Sequence, residues 1–223
     1  MYLIFKRIFD VILSLLFILI LSPLLIPVII GLKLTGEGFV FYKQNRVGFK
    51  NKNFFILKFA TMLVNSSKMA GGIITTKKDP RITPMGGFLR KSKINELPQL
   101  FNILLGNMSF VGPRPVMPIS FNAYPPHVQN VIYNVRPGLT GIGSIIFRDE
   151  EELISQVKNS GGDTWVFYTD TIYPFKGKVE EWYQKNYGFI TDLKVILITA
   201  YVILRPSSDI VYTAFKGLPK RNF

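Results

Sequence analysis

Apolar positions are concentrated at the front of this chain. Residues 8–34 are almost continuously apolar, with Asp10 the only charge before Lys33. A run of that length matches the roughly 20 residues of a membrane-spanning helix. Two features oppose a simple span. Ser22-Pro23 interrupts the run near its middle and Pro27 follows; proline removes a backbone donor and kinks a helix. Basic residues also flank both ends, Lys6 and Arg7 before the run and Lys33, Lys43, Arg46, Lys50 and Lys52 after it. The positive-inside rule then places both ends in the cytoplasm. The pattern predicts a bent, re-entrant helix that enters and leaves through one leaflet, with the Ser22 hydroxyl serving backbone groups freed at the Ser22-Pro23 kink. A cleaved leader is not expected, because no small-residue cleavage site follows. Arg7 and Asp10, one helical turn apart, are expected to pair.

Beyond Gly36 and Gly38 the period changes. Residues 39–44 and 53–58 are aromatic-rich and strand-like, with a turn-forming stretch at 45–52, and predict a β-hairpin whose aromatics lie in a core or at a bilayer interface. Residues 61–69 suit a short helix, 71–78 a loop, and Asp79-Pro80-Arg81 a turn. A short helix or turn is expected over 84–91. Leu97, Leu100, Phe101 and Leu104 follow a helical period over 96–105, with Asn95 as its N-cap, Pro98 in its first turn and Gly106 at its end. Pro113 and Pro115 hold Arg114 in a stiff extended segment. Glycines at 138, 141 and 143 would let a ligand approach the backbone. Helices are expected over 149–158, 179–187 and 192–204. The last is too short to span, so it reads as interfacial or buried, with Asp192 as a cap. The fold class is α/β of the helix-rich α+β kind. Residues 1–35 form the re-entrant anchor, and residues 36–223 a cytosolic catalytic domain at the membrane surface.

Composition sharpens this picture. The chain is 48% hydrophobic yet carries a formal net charge of +13. Apolar and strongly basic together suit a surface of anionic lipid head groups. The same charge is the footprint of nucleic-acid binders, but no motif of that class appears, so no nucleic-acid partner is expected. Cysteine is absent, which excludes disulfides, thiolate nucleophiles and cysteine metal sites. The single histidine, His127, falls in an expected loop after two prolines.

The candidate chemistry gathers in residues 91–115. Glu96 stands beside Asn95, among Arg81, Arg90, Lys91, Lys93 and Arg114. A carboxylate amid cations, next to a helix start and a proline-flanked arginine, suits phosphate chemistry. Candidate phosphate- and nucleotide-binding residues are Lys58, Arg81, Arg90, Arg114, Arg136, Gly138 and Gly141. The plainer readings stand beside these. Glu96 is favoured by a helix dipole in any first turn, Asn95 is an ordinary cap, Arg114 a solvated arginine in a turn, Arg136 with Gly138 and Gly141 a Gly-rich turn, and Lys58, Arg81 and Arg90 suit lipid head groups.

Seven segments, in order, carry a resemblance. They are KRIFD before the apolar block, QNRVG at 44–48, LKFATM at 57–62, DPRITPMG at 79–86, NELPQLFN at 95–102, GNMSFVGPRP at 106–115 and RPGLTG at 136–141. Together they resemble the bacterial sugar transferases known as small monotopic phosphoglycosyl transferases. The resemblance implies transfer of a phospho-sugar from a UDP-sugar to undecaprenyl phosphate, with release of UMP. That is the first membrane step of capsule, O-antigen, exopolysaccharide or glycoprotein glycan assembly, and downstream glycosyltransferases would take up the product. It implies magnesium as cofactor, with Glu96 as a ligand, and the cytoplasmic face of the bacterial inner membrane as location. It also implies an Asp-Glu pair in which the Asp forms a covalent phospho-sugar intermediate. Here that pair falls on Asn95 and Glu96. Asn107 stands where the family usually has Asp, and Ala60 where it has Arg or Lys. The amide at 95 leaves two readings open: a transferase, or a catalytically silent relative that binds nucleotide-sugar or acts as a scaffold.

Overall fold

The computed structural model describes residues 2–66, 69 and 79–223. The apolar block forms one helix, α1 (Tyr2–Leu34), which continues through Pro23 and Pro27. Pro23 leaves the Leu19 carbonyl without its helical donor. Ser22 Oγ donates to that same carbonyl at 2.8 Å. The 33 residues correspond to about 50 Å of helix.

Only one stripe of α1 turns inward. Asp10, Ser14, Leu25, Val28 and Leu32 are buried, and Leu13, Ile18 and Leu21 pack beside them. The spacing of three and four along Ser14, Ile18, Leu21, Leu25, Val28 and Leu32 keeps the stripe on one side. The outer face, with Ile8, Ile12, Leu19, Ile26 and Ile30, is exposed. Both halves of α1 rest on the same body: Phe17 packs on Phe110, and Leu25, Val28 and Leu32 pack with Phe59 and Leu89.

Arg7 and Asp10 do not pair with each other, as their spacing suggested. Arg7 donates to the carbonyls of Ile103 and Leu104 at 2.6 and 2.8 Å. Asp10 accepts from Ser109 Oγ and the Phe110 amide at 3.1 and 3.0 Å. Each satisfies main-chain groups that the fold brings to α1, a stronger claim than an exposed contact one turn away.

The hairpin forms from β1 (Phe41–Val47) and β2 (Asn53–Phe59), antiparallel, with Gln44 opposite Ile56. The turn is tighter than expected: β1 runs to Val47, and Lys50 and Asn51 close the bend at φ 55° and 57°. Val47, Ile56 and Phe59 are buried, whereas Phe41, Tyr42 and Phe55 are exposed. No helix begins at Thr61. The Leu63 amide donates to the Arg81 carbonyl at 2.9 Å and the Thr83 amide to the Thr61 carbonyl at 3.1 Å, so extended pairing takes the groups a helix would need. Residues 67 and 68 of that stretch, and the expected loop over 71–78, lie outside the described residues.

Next come α2 (Pro84–Lys91), capped by Thr83 Oγ1 on the Gly86 amide at 3.0 Å, and a 3-10 turn over Ile94–Glu96. α3 (Gln99–Leu105) follows and ends at Gly106 with φ 88°. A short parallel pair, β3 (Ser109–Val111) and β4 (Gly138–Thr140), lies behind them. Between these strands sit α4 (Pro118–Asn122) and α5 (Pro126–Gln129). After them come α6 (Ile142–Ile146), α7 (Glu150–Asn159), α8 (Thr164–Phe167), a π-type turn at Tyr168–Ile172 and α9 (Tyr173–Asn186). α10 (Phe189–Leu204) and α11 (Ile210–Ala214) complete the described elements.

The main core joins α3, β3, α6, α9 and α10 through Ile103, Val111, Ile145, Val179 and Val195. α10 buries Val195, Ile198 and Val202 and exposes Phe189, Ile190, Leu193, Leu197, Ile203 and Leu204. Asp192 does not cap that helix, because the chain enters it at Gly188. Its carboxylate instead accepts from Tyr183 Oη at 2.8 Å and pairs with Lys6, tying α10 to α1.

Candidate functional site

The site begins with a backbone turn. Lys93 takes φ 60°, which reverses the chain into the 3-10 turn. Consecutive side chains of such a turn diverge by about 120°. Asn95 therefore points inward, 7% exposed, while Glu96 points to the rim. Asn95 is not the N-cap of α3; the helix starts four residues later, at Gln99, behind Pro98. The Asn95 Oδ1 and Gln99 Nε2 atoms are both buried without a partner.

Two cations contact Glu96, and a third, Arg46, stands beside them. Arg114 Nη2 lies 2.9 Å and Lys58 Nζ 3.7 Å from its Oε1. Tyr42, Gln44 and Arg46 are cross-strand partners of Lys58, Ile56 and Phe54, so Arg46 and Lys58 share one face of the hairpin. Burial alone would push the Glu96 carboxyl up, but Arg114 and Lys58 hold it well below the usual carboxylate range. Burial, reinforced by Arg114, Arg46 and Arg90, depresses the Lys58 ammonium to about 7 against the pull of Glu96. Burial and Arg114 bring Arg46 down to about 10. Three basic groups around one carboxylate leave a local excess of positive charge.

The turn that carries Arg114 is held on all sides. The Gly138 amide donates to the Pro113 carbonyl at 2.9 Å. Tyr133 Oη donates to the Arg114 carbonyl at 2.9 Å and accepts from the Val116 amide at 3.0 Å. Arg46 Nη1 donates to the Pro115 carbonyl at 3.2 Å, and the Val47 amide to the Val116 carbonyl at 2.9 Å. With two prolines removing backbone freedom as well, Arg114 is presented on a fixed base.

The other residues singled out from sequence are spread around this centre. Arg90 reaches Glu151 on α7 at 3.4 Å. Arg81 is 2% exposed and engages Asp79 through Nη2 at 2.6 Å and Nε at 2.9 Å. Arg136 Nε donates to the Gly106 carbonyl at 2.8 Å, and its guanidinium covers the Phe49 ring at 5.2 Å. Gly138 and Gly141 flank Gly112: a Cβ on either would come within 2.1 Å of that backbone. Their small size is thus used by the β3–β4 approach.

Arg46, Tyr133, Glu150, Lys176 and Glu180 have no place in the sequence-based site. Arg46 lies within the QNRVG segment, which is a signal that was present; Tyr133 gives none. Glu150, at the start of α7, holds Lys176 of α9 through both oxygens at 2.8 Å. Glu180 is 5% exposed, and its Oε2 has no partner. Burial pushes its carboxyl up to about 8. His127 sits 3.5 Å from Glu181 on the surface.

Among the described residues no group of three or more His, Cys, Asp or Glu side chains forms a metal cage. Magnesium, however, binds proteins through one or two carboxylates together with substrate phosphates. Glu96 provides a carboxylate of that kind.

The family described as bacterial sugar transferase matches residues 1–206. An uncharacterized sugar transferase of Haemophilus influenzae is 33% identical over 215 residues, covering 90% of this chain and 41% of its own length. The undecaprenyl-phosphate galactose phosphotransferase of Salmonella typhimurium is 33% identical over 215 residues, covering 90% and 40%. This chain therefore spans about two-fifths of the length of those relatives. Exopolysaccharide production protein ExoY of Sinorhizobium fredii is of similar size, 35% identical over 190 residues, with 77% of this chain and 82% of the relative covered.

Proposed function

The chain belongs to the bacterial sugar transferase family, and on that premise we propose that it transfers a phospho-sugar from a UDP-sugar to undecaprenyl phosphate and releases UMP. The observation that carries this reading is the set of three basic side chains, Arg46, Lys58 and Arg114, around the single carboxylate of Glu96. Their excess charge suits a diphosphate, and a pre-organised cationic site stabilises charge that shifts during phosphoryl transfer. A relative named for transfer to undecaprenyl phosphate supports the choice of acceptor.

In this reading an oxygen of the acceptor phosphate bonds to the β-phosphorus of the donor. The bond from that phosphorus to the oxygen bridging it to UMP breaks, and UMP leaves with the electron pair. Arg114 and Lys58 hold the diphosphate and offset the charge on the departing UMP. Glu96 stays ionised and fixes both cations in place. Asn95 carries no anionic oxygen, so the transfer is drawn as one displacement. Magnesium held by Glu96 together with the diphosphate would supply further neutralisation of charge.

The membrane setting follows from α1. Its outer face is apolar, and both halves of its inner stripe pack on the domain that carries Glu96. A helix crossing the bilayer would carry its far end away from that domain. We therefore infer a monotopic arrangement on the cytoplasmic face of the bacterial inner membrane, with α1 re-entering one leaflet and the exposed face of α10 at the interface. The basic residues at both ends of the apolar run support the cytoplasmic side, facing anionic lipid. The product is a lipid-linked sugar, suited to the glycosyltransferases that extend such carriers.

The test uses purified protein in nanodiscs with magnesium, polyprenol phosphate and a panel of UDP-sugars. UMP release that depends on both donor and acceptor is expected. Absence of UMP with every donor overturns the reading.

A further inference from the structure

We propose that Arg46 is a further phosphate-binding residue of this site, a guanidinium that contacts a phosphate group of a substrate alongside Lys58 and Arg114. The inference rests on the transferase reading above and deepens it.

The argument starts from what Arg46 lacks. Its Nη1 donates to the Pro115 carbonyl at 3.2 Å and its Nη2 to Gln44 Oε1 at 2.6 Å. Both acceptors are neutral. Nε is buried with no acceptor. Among the described residues no carboxylate is in ion-pair contact with this guanidinium. Glu96, the carboxylate at the centre, is taken by Arg114 and Lys58. Arg114 acts on Arg46 as a repelling neighbour.

A largely buried cation with no carboxylate in contact, set beside two more cations and with Glu96 attracting it only from a distance, is costly to keep. Neutral acceptors such as the Pro115 carbonyl are served as well by an uncharged donor, so they do not account for the charge. An arriving phosphate accounts for it. It supplies the missing negative charge, and a guanidinium matches phosphate oxygens in a two-pronged geometry. The position fits as well. Arg46 shares the hairpin face of Lys58 and is bonded to the same turn that carries Arg114. Three cations on two connected elements thus stand together. The phosphate comes from the donor diphosphate or from the acceptor monophosphate, and the two have the same chemistry at this residue.

The experiment compares the full chain with Arg46→Gln and Arg46→Lys in nanodiscs. UDP affinity reports the donor side, and KM for polyprenol phosphate reports the acceptor side. Thermal unfolding monitors the fold. Arg46→Gln is expected to weaken one of the two constants at least tenfold, with a smaller change in kcat and a shallower salt dependence. Arg46→Lys keeps the charge but loses the fork, and is expected to weaken the same constant about three- to tenfold at an unchanged melting temperature. Weaker UDP binding assigns the donor; a raised acceptor KM with unchanged UDP binding assigns the acceptor. The proposal is overturned if a folded Arg46→Gln variant matches the parent in both constants. If Arg46→Gln does not fold, Arg46→Lys decides, and parent-like constants in it overturn the proposal. A parent chain that neither binds UDP nor releases UMP overturns the transferase reading itself, which separates the two failures.

Discussion

Tyr133 clamps the turn of Arg114 from behind. Its hydroxyl donates to the Arg114 carbonyl at 2.9 Å and accepts from the Val116 amide at 3.0 Å, and the ring is 1% exposed. One hydroxyl therefore satisfies main-chain groups on both sides of Pro115. Tyr133→Phe leaves both without that partner, at a cost of about 1–3 kcal/mol. The expected outcome is a lower melting temperature together with several-fold weaker UDP binding. A variant that melts lower yet binds UDP as the parent does would show that Arg114 needs no such clamp.

Lys58 gives the site a pH dependence. Its folded-state value is depressed to about 7 by burial and neighbouring cations. The side chain is charged below that pH and neutral above it, so affinity for an anionic ligand falls as pH rises through the midpoint. A bound diphosphate favours the charged form and moves the midpoint upward. UDP affinity measured across neutral and mildly alkaline pH should decline in the parent chain and stay level in Lys58→Arg, since a guanidinium remains charged. An equal decline in both assigns the effect to another group.

In the proposed reaction the residue at position 95 sets the number of chemical steps. As written, the chain should release UMP only when acceptor is present. Asn95→Asp puts a carboxylate at the position next to Glu96 in sequence, on the same 3-10 turn. It is expected to release UMP from donor alone, up to one equivalent per protein, and to retain labelled phosphorus on the protein. A burst of UMP and a labelled protein from the unsubstituted chain would rule out the single displacement drawn here.

Glu180 links stability to pH. Burial raises its carboxyl from 4.5 to about 8 in the folded chain. Between those values the unfolded state has lost the proton and the native state keeps it. Stability is thus greatest at low pH and falls as pH rises, by about 1.4 kcal/mol per unit for this group, until the folded carboxyl itself ionises. Glu180→Gln, which stays neutral, should flatten that slope in denaturant melts at a series of pH values. A slope that persists in the variant belongs to other groups. The neighbouring space is tight, since a Cβ on Gly143 would lie 2.5 Å from Glu180 Oε1, so Gly143→Ala should destabilise the chain.

Local physics made much of the fold legible. A long apolar run must form internally bonded helix, and α1 does so over Tyr2–Leu34. Two aromatic strands around a short turn pair as β1 and β2. Leucine spacing and Gly106 mark α3 and its end. The errors share one cause. Arg7 with Asp10, Asn95 as a cap and Asp192 as a cap were all inferred from near neighbours in sequence. In the fold Asp10 serves Phe110 and Asp192 serves Tyr183. Asn95 turns inward because Lys93, two residues earlier, adopts a left-handed conformation.

By itself, then, the sequence determined most element types, the long apolar helix with basic flanks, the proline-stiffened arginine and the unusual amide at position 95. These depend on dihedral preferences and periodicity, which act within a few residues. The tertiary structure decided which stripe of α1 is buried, that Tyr133 holds the Arg114 turn, that Lys58 and Arg114 share one carboxylate, and that Arg46 stands beside them without one. Burial and charge balance are set by residues far apart along the chain. A cation reveals that it lacks a counter-ion only once every element packed around it is in place.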